Sequence, residues 1–400
     1  MDQRSPAETE LRRQVGALFH PLAVVATGAA PCVGFELELF VLEDGPARST
    51  SIPIDRIRSA LASDPGLVDA ATVTFEPGGQ LELSPAPRSS VAALIADGDV
   101  LLRRVREALA RDGLAIETGG IDRWRTTDEL GLQVAKDRYL VMQRHFDSIG
   151  PAGRRMMRQT AALQVCVDLL PGRAGRRQWV AANVVGPALA AAFRNPAGPD
   201  NRTRIWQEVD RSRTGFDGAQ LDCDRPADAY AAFALGAEAM PLERASDSAA
   251  LPFRQSFGAW ASENGDRPDE ADVAHHLTTL FPPVRPRRYL EVRYLDAPSI
   301  ERLAEAVILV SVLLADEEAR ESSIDVAGDI TGLEDAWHRS AVDGLADPHL
   351  ARIASDLIEI AVRRCRTVSR QWPGWLPVDA TTTLECLAEA VDATRLGARP

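Results

Sequence analysis

Four segments of the chain repeat one alternation, and it constrains the fold more than any other feature. In 33–41, Val33, Phe35, Leu37, Leu39 and Val41 alternate with Gly34, Glu36 and Glu38. In 80–84, Leu81 and Leu83 alternate with Gln80, Glu82 and Ser84. In 160–168, Leu163, Val165 and Val167 oppose Thr160, Gln164, Cys166 and Asp168. In 289–295, Leu290, Val292 and Tyr294 oppose Glu291 and Arg293. Successive strand side chains point to opposite faces. Each segment is therefore predicted to be a strand with one apolar face, which helices must cover. If the four lie in one sheet, Glu36, Glu38, Glu82 and Glu291 converge on its other face. Glu76, just before the turn Pro77-Gly78-Gly79, could join them.

Several carboxylates cannot share a site as bare anions, because like charges within about 4–6 Å of one another disfavour ionisation. A hard divalent cation resolves the conflict, and all-oxygen ligation suits Mg²⁺ or Mn²⁺ rather than zinc. The alternative is a solvated sheet face, which is ordinary for any one strand; four strands with the same pattern weigh against it. Arginine supplies the complement. Arg202, Arg204, Arg211 and Arg213 lie in one stretch, and Arg285, Arg287, Arg288 and Arg293 flank the last strand. Guanidinium forks bind carboxylate and phosphate bidentately, although most arginines in a chain this rich in them must be surface groups.

Between the strands, periodicity predicts helices over 4–19, 54–62, 91–112, 136–147, 176–193 and 227–236. Residues 196–218 and 241–255 read as loop-rich, as does 45–53. Beyond Ser299 strand signals fade, and 299–320, 332–343, 347–370 and 381–395 read as helices. Strands without strict alternation with helices imply an α+β fold with a mainly antiparallel sheet. The expected division is a mixed sheet-and-helix body over 1–298 and a helical C-terminal region over 299–400, packed on the same domain.

Composition removes several functions. The 400 residues carry 45 basic and 58 acidic side chains, a net charge of −13. That is the wrong sign for a general nucleic-acid binder or a polybasic membrane-surface protein. All but one of the basic residues are arginine, the exception being Lys136. No phosphate-binding glycine loop precedes that lysine, and neither a Gly-x-Gly-x-x-Gly nor a Gly-x-Ser-x-Gly motif occurs. His275-His276 has no metalloprotease spacing and reads as structural. Cysteines 32, 166, 223, 365 and 386 form no Cys-x-x-Cys pair, and so sparse a set fits a reducing compartment. The apolar stretch 21–34 is too short for a membrane span and is broken by Pro21 and Pro31. Arg12-Arg13 before it reads as part of an amphipathic helix rather than an export signal. A cytoplasmic enzyme is the expectation.

The same residues resemble a known family. Gly34-Phe35-Glu36-Leu37-Glu38 resembles the Gly-x-Glu-x-Glu strand of glutamate–cysteine ligases, and Phe75-Glu76-Pro77-Gly78-Gly79-Gln80-Leu81-Glu82-Leu83-Ser84 resembles their hairpin. Met156-Met157, Thr160-Ala161, Gln164-Val165 and Asp168 are similar to the next strand. Arg202-Thr203-Arg204-Ile205-Trp206, Asp210 and Arg213-Thr214-Gly215 follow in order. His276-Leu277-Thr278-Thr279-Leu280-Phe281-Pro282 and Tyr289-Leu290-Glu291-Val292-Arg293 complete the set. The similarity is to the plant-type group. Within it, Arg293-Tyr294-Leu295-Asp296 resembles the actinobacterial branch tied to ergothioneine synthesis.

The resemblance implies a glutamine synthetase-like curled antiparallel sheet with helices on its apolar face. It implies an ATP- and Mg²⁺-dependent ligase with L-glutamate and L-cysteine as substrates, giving γ-glutamylcysteine through a γ-glutamyl phosphate. Glu36, Glu38, Glu76, Glu82, Gln164 and Glu291 would then be the metal ligands. Arg202 would hold the α-carboxylate of glutamate, with Gln164 and Arg213 also at substrate. Arg293, Arg213 and Arg285 would meet nucleotide phosphate. Leu37 stands where plant enzymes carry His, and Gln159 where they carry Arg, with Arg158 displaced by one. These departures bear on the amine-acceptor contacts rather than on the metal cluster. Two other readings are a related ligase joining glutamate to a different amine, and a non-catalytic metabolite-binding protein on the same scaffold.

Overall fold

The computed structural model describes residues 5–21, 29–45, 48, 50–195, 199–222, 224–244, 253–263, 268–328 and 330–395. Cys223, residues 22–28 of the apolar stretch 21–34 and part of 241–255 lie outside them. Seven strands form one sheet: β1 (Val33–Glu43), β2 (Ala71–Phe75), β3 (Leu81–Pro85), β4 (Leu114–Glu117), β5 (Ala162–Asp168), β6 (Val284–Pro286) and β7 (Tyr289–Asp296). Their order is β2-β3-β1-β5-β7-β6, and β4 pairs with the end of β1. Every pairing is antiparallel. The α+β expectation therefore holds, and the four acid-bearing strands β3, β1, β5 and β7 are consecutive neighbours.

The apolar faces are buried as the alternation requires: Val33, Phe35, Leu37, Leu39, Leu81, Leu83, Leu163, Val165, Val167, Leu290 and Val292 are all core residues. Burying each such side chain is worth roughly 1.5–3 kcal/mol. The helices Val91–Ala110 and Leu303–Ala315 cover this face. Nearly every residue of Leu303–Ala315 is buried, as befits a helix that is apolar all round.

The hairpin joining β2 to β3 places Glu76 and Glu82. Glu76 N–H donates to the Gln80 carbonyl (2.9 Å) and Gly79 N–H to that of Glu76 (2.8 Å). Gly79 sits at φ +91°, which favours glycine. Gly78 lies so close to the helix Ala152–Gln159 that a Cβ there would come within 2.5 Å of the Arg158 Cα. Gln80 Nε2 donates to the Thr160 carbonyl (2.8 Å), and the Pro77 carbonyl accepts from Gln133 N–H (2.7 Å). Gly78→Ala is therefore expected to destabilise the protein by about 2–3 kcal/mol through overpacking. It should also lower turnover by displacing Glu76, and the urea midpoint together with ADP release would show both effects.

Three segments differ from expectation for identifiable reasons. The helix expected over 176–193 is two, Gly172–Val184 and Gly186–Ala192. Pro187 has no N–H to continue the ladder, and Gly186 lies against the Trp337 ring. The helix expected over 299–320 is also divided. Asp316 ends Leu303–Ala315 in an extended conformation and caps Glu317–Ala327 by accepting from Ala319 N–H (2.9 Å). The stretch 196–218, expected as loop, holds the short helices Arg202–Gln207 and Arg211–Thr214. Asn201 and Asp210 cap them by accepting from Arg204 N–H and Ser212 N–H. The short β4 and β6 were not anticipated. No helix among the described residues is long and apolar enough to cross a membrane.

Candidate active site

The sheet register assembles the acids. Glu38 lies directly opposite Glu82 across β1 and β3, Glu36 opposite Gln164 across β1 and β5, and Cys166 opposite Glu291 across β5 and β7. Like charges opposite one another destabilise a sheet, so local strand physics does not account for this placement. Between β5 and β7 the register shifts beside Arg293, an irregularity of the kind that re-aims side chains next to active sites. Glu36, Glu38, Glu76, Glu82, Gln164, Glu291 and Arg293 all line one cavity of about 310 Å³. Its opposite wall comes from the helices Asp137–Asp147 and Ala152–Gln159, through Tyr139, Met142, Met156 and Met157, with Trp206 and Phe281 beside them.

The cavity has two electrostatic ends. At one, oxygens of Glu38, Glu76 and Glu82 lie within 4.8 Å of one another. Burial, then the charges of Glu76 and Glu82, push the Glu38 carboxyl well above its usual range. Burial and then Glu76 push Glu82 up to about 7, although Thr74 Oγ1 donates to it. Burial also raises Glu76, against the opposing charges of Arg138 and Arg293. Glu36, raised to about 7 by burial and then by Glu291 and Glu82, links this end to the other. Glu38 accepts from Ala162 N–H (2.9 Å) and Gln164 Nε2 (3.2 Å). Three half-buried, mutually repelling carboxylates with an all-oxygen donor set fit a hard divalent cation.

At the other end Glu291 sits among three guanidiniums. Arg287 Nε approaches to 2.9 Å and Arg285 Nη1 to 3.3 Å, and Arg293 pairs with it as well. Burial opposes ionisation of Glu291, but Arg285, Arg293 and Arg287 together lower it to about 2. Arg293 Nη1 also donates to Gln164 Oε1 (2.7 Å). The structure thus commits Glu291 to arginines, apart from the carboxylate triad, while Gln164 bridges Arg293 and Glu38. Three cations share one carboxylate here, which leaves positive charge to meet an anion.

Arg202 lies behind this cavity and not in its lining. It is buried, stacks 4.7 Å from the Trp206 ring, and donates from Nη2 to the Arg293 carbonyl (2.8 Å). The placement of Arg213 in a binding role is corrected. It is fully buried away from the cavity, bound to Asp210 (2.7 Å), the Thr279 carbonyl (2.9 Å) and the Glu238 carbonyl (2.5 Å). Its own carbonyl accepts from Phe281 N–H (2.8 Å), so it buttresses the wall. A polar pattern cannot tell such a buried arginine from a ligand-binding one, though the Asp210 cap three residues earlier was a signal. Arg204 and Arg211 are spent on surface pairs with Glu208 and Glu334. His276 is structural as expected, with Nε2 2.7 Å from the Ala234 carbonyl and its ring 4.3 Å from that of Phe257.

Sequence reasoning missed a second cavity. About 980 Å³ in volume, it lies beside the first and shares Glu36 and Tyr289 with it. Its lining is mostly apolar, from Val33, Ala71, Val73 and Pro85 to Pro87, with Cys32, Cys166 and Asp168. The run Pro85-Ala86-Pro87 after β3 was the available signal. Lys136, Arg138 and Tyr139 were also missed as lining residues.

The raised carboxyls give a stability prediction. Glu36 and Glu82 lie near 7 in the folded chain against an ordinary value of 4.5. A raised acid stabilises the fold below its unfolded pKa, and the contribution is lost as pH rises through the folded one. Without added cation, stability should fall by a few kcal/mol between about pH 5 and pH 8. Added Mg²⁺ should raise the melting temperature much more at pH 8 than at pH 5, where protons compete for the same oxygens. Thermal unfolding at both pH values with and without Mg²⁺ measures this; an equal response would refute it.

Comparisons with known proteins bear on the family and the fold. The model of glutamate–cysteine ligase family 2 (GCS2) matches residues 32–375. The glutamate–cysteine ligase EgtA of Mycolicibacterium smegmatis is 34% identical over 351 residues, 83% of this chain and 80% of that protein. EgtA of Mycobacterium tuberculosis is 30% identical over 387 residues, 92% and 87% of the two chains. The chloroplastic glutamate–cysteine ligase of Arabidopsis thaliana is 29% identical over 309 residues, 72% of this chain and 59% of its own. Among solved structures, a glutamate–cysteine ligase from Francisella tularensis in complex with AMP superposes with a TM-score of 0.55 at 12% identity. The match covers 92% of this chain and 84% of that one, and it shows a shared fold.

Proposed function

The chain belongs to glutamate–cysteine ligase family 2, and from that premise we infer that it joins the γ-carboxylate of L-glutamate to the amine of L-cysteine, driven by ATP. The carrying observation is one cavity that pairs three mutually close carboxylates with a three-arginine group. The adjoining apolar cavity is of a size to hold a nucleotide.

In this reading, adenosine occupies the apolar cavity and the phosphates reach past Glu36 and Tyr289 into the acidic one. A γ-carboxylate oxygen of glutamate attacks the γ-phosphorus of ATP, and ADP leaves. The amine of cysteine then attacks the acyl carbon of γ-glutamyl phosphate, loses a proton, and phosphate departs. Mg²⁺ bound by Glu38, Glu76 and Glu82 would supply charge neutralisation for the phosphoryl oxygens. The resemblance extends the ligand set to Glu36, Gln164 and Glu291, and we assign these to the nucleotide side. Glu291 holds Arg285, Arg287 and Arg293 on one carboxylate, so that fixed positive charge faces the phosphoryl group without reorganisation. The resemblance gives Arg202 to the α-carboxylate of glutamate; set behind the lining, with a buried Nε that has no partner and a charge that reaches Glu38, it would act on that carboxylate through its field and not by contact. Residues 1–298 would carry the chemistry and 299–400 back the sheet. The product would enter ergothioneine biosynthesis, and the compartment is the cytoplasm.

The test is ADP release by purified protein with ATP and Mg²⁺, first with L-glutamate alone, then with L-cysteine or other amines. Turnover requiring glutamate and fastest with cysteine is expected. Faster turnover with another amine would move the function to a related ligase, and no turnover in a folded, ATP-binding protein would overturn the enzyme reading.

A further inference from the structure

Lys136 is the one lysine among 45 basic residues, and it lines the acidic cavity. A composition that supplies arginine everywhere else makes an ammonium at this spot conspicuous. An ammonium is a compact point donor, whereas a guanidinium is a planar fork. Lys136 stands immediately before the helix Asp137–Asp147, without a side-chain capping bond, and Arg138, two residues on, lines the same cavity. Neither cation forms an ion pair among the described residues. Lys136 is exposed at the mouth. Arg138 stacks 4.8 Å from the Tyr139 ring, and its buried Nε lacks a partner.

Their position in the cavity separates them from the phosphate group. The nucleotide-sized cavity opens at Glu36 and Tyr289, and the three arginines surround Glu291 beside it. Arg138 acts electrostatically on Glu76, and Tyr139 feels Glu76, Glu82 and Glu38. Lys136 and Arg138 open the helix that forms the wall opposite the sheet, so they line the cavity across from the carboxylates, where the acyl group and its acceptor would meet. Arg202 is buried behind Trp206, away from the mouth. Lys136 is exposed and Arg138 half-buried, so both can be reached by an acceptor entering the cavity.

We propose that Lys136 and Arg138 bind the α-carboxylate of the incoming acceptor, so that the site selects an α-amino acid over a simple amine. The proposal rests on the ligase reading above and adds the acceptor's recognition to it. Met142, Met156 and Phe281 offer the soft, apolar surface against which a short thiol side chain packs.

The experiment compares L-cysteine with cysteamine, the same thiol-amine without the carboxylate, in wild type, Lys136→Met and Lys136→Arg. Wild type is expected to favour L-cysteine in kcat/KM. In Lys136→Met the ratio of kcat/KM for L-cysteine over cysteamine should fall roughly 10-fold or more, the scale of one charge-assisted hydrogen bond. The loss should sit in KM for L-cysteine, since binding common to ground and transition states is removed. Lys136→Arg should recover part of the ratio. Equal losses for both acceptors, or a rise in KM for glutamate instead, would overturn the assignment while leaving the ligase intact. A wild type with no glutamate-dependent turnover would remove both readings together.

Discussion

Glu82→Gln should abolish glutamate-dependent ADP release and yet leave a chain that, without added cation, is more stable than wild type at pH 8. The two effects have one cause. Glu82 lies opposite Glu38 in the sheet and beside Glu76, and its carboxyl is pushed up to about 7 by burial and by that neighbour. At pH 8 without cation the Glu82 carboxyl is ionised against its preference. Gln keeps the shape, can still accept from Thr74, and removes one negative charge. The expected gain is about 1–3 kcal/mol in urea unfolding at pH 8, disappearing near pH 5 where the wild-type carboxyl is already protonated. Turnover should fall on the order of 1,000-fold, since several kcal/mol of charge stabilisation depend on the cation these oxygens hold. The Mg²⁺-induced rise in melting temperature should shrink as well. Wild-type turnover in this variant would sink the metal assignment, and a loss of stability without cation would sink the electrostatic account.

What the sequence revealed follows from periodicity. A strand's faces alternate every residue, so placing Glu36, Glu38, Glu82, Gln164 and Glu291 on the polar face required only that the four strands be neighbours, and they are. The hairpin was legible because Pro77-Gly78-Gly79 admits few conformations. What stayed hidden depends on how helices close over the sheet. Nothing local says that the start of Asp137–Asp147 overhangs the acids, so nothing pointed to Lys136 and Arg138 as lining residues. The division of the Glu residues into a triad and an arginine-bound partner was hidden too. It depends on Arg285 reaching across from β6, a strand too short and proline-bound to be read. The break at Asp316 was readable in hindsight. An Asp followed by three residues and a new amphipathic run is a cap, but the apolar run before it suggested continuity.

The wall opposite the sheet yields the largest expected loss of stability. Asp210 is buried, and its Oδ2 accepts from Arg213 Nε (2.7 Å) and His145 Nε2 (2.9 Å), while Oδ1 accepts from Ser212 N–H (2.9 Å). Burial opposes its ionisation, but His145 and Arg213 together hold the carboxyl well below its usual range. Burial lowers the His145 imidazole despite Asp210, so a neutral ring serves as the donor. Asp210→Asn leaves the Arg213 guanidinium fully buried with only neutral partners, the Asn amide oxygen, backbone carbonyls and a hydroxyl. Breaking a buried pair from one side typically costs about 3–5 kcal/mol, because a charge is left uncompensated. Removing both charges in Asp210→Asn/Arg213→Met should cost less than the single change. That coupling, read from urea midpoints in a double-mutant cycle, distinguishes a charge effect from simple loss of packing. The sign with pH is also fixed. A depressed carboxyl contributes stability above its unfolded pKa near 3.8 that is lost as pH falls through the folded value. The gap between wild type and Asp210→Asn should therefore be full at pH 7 and narrow below about pH 4. Because Arg213 also fixes Phe281 through its backbone, and Phe281 lines the cavity, whatever folded Asp210→Asn remains should bind substrates more weakly. An unchanged midpoint would mean that water or a local rearrangement already compensates Arg213.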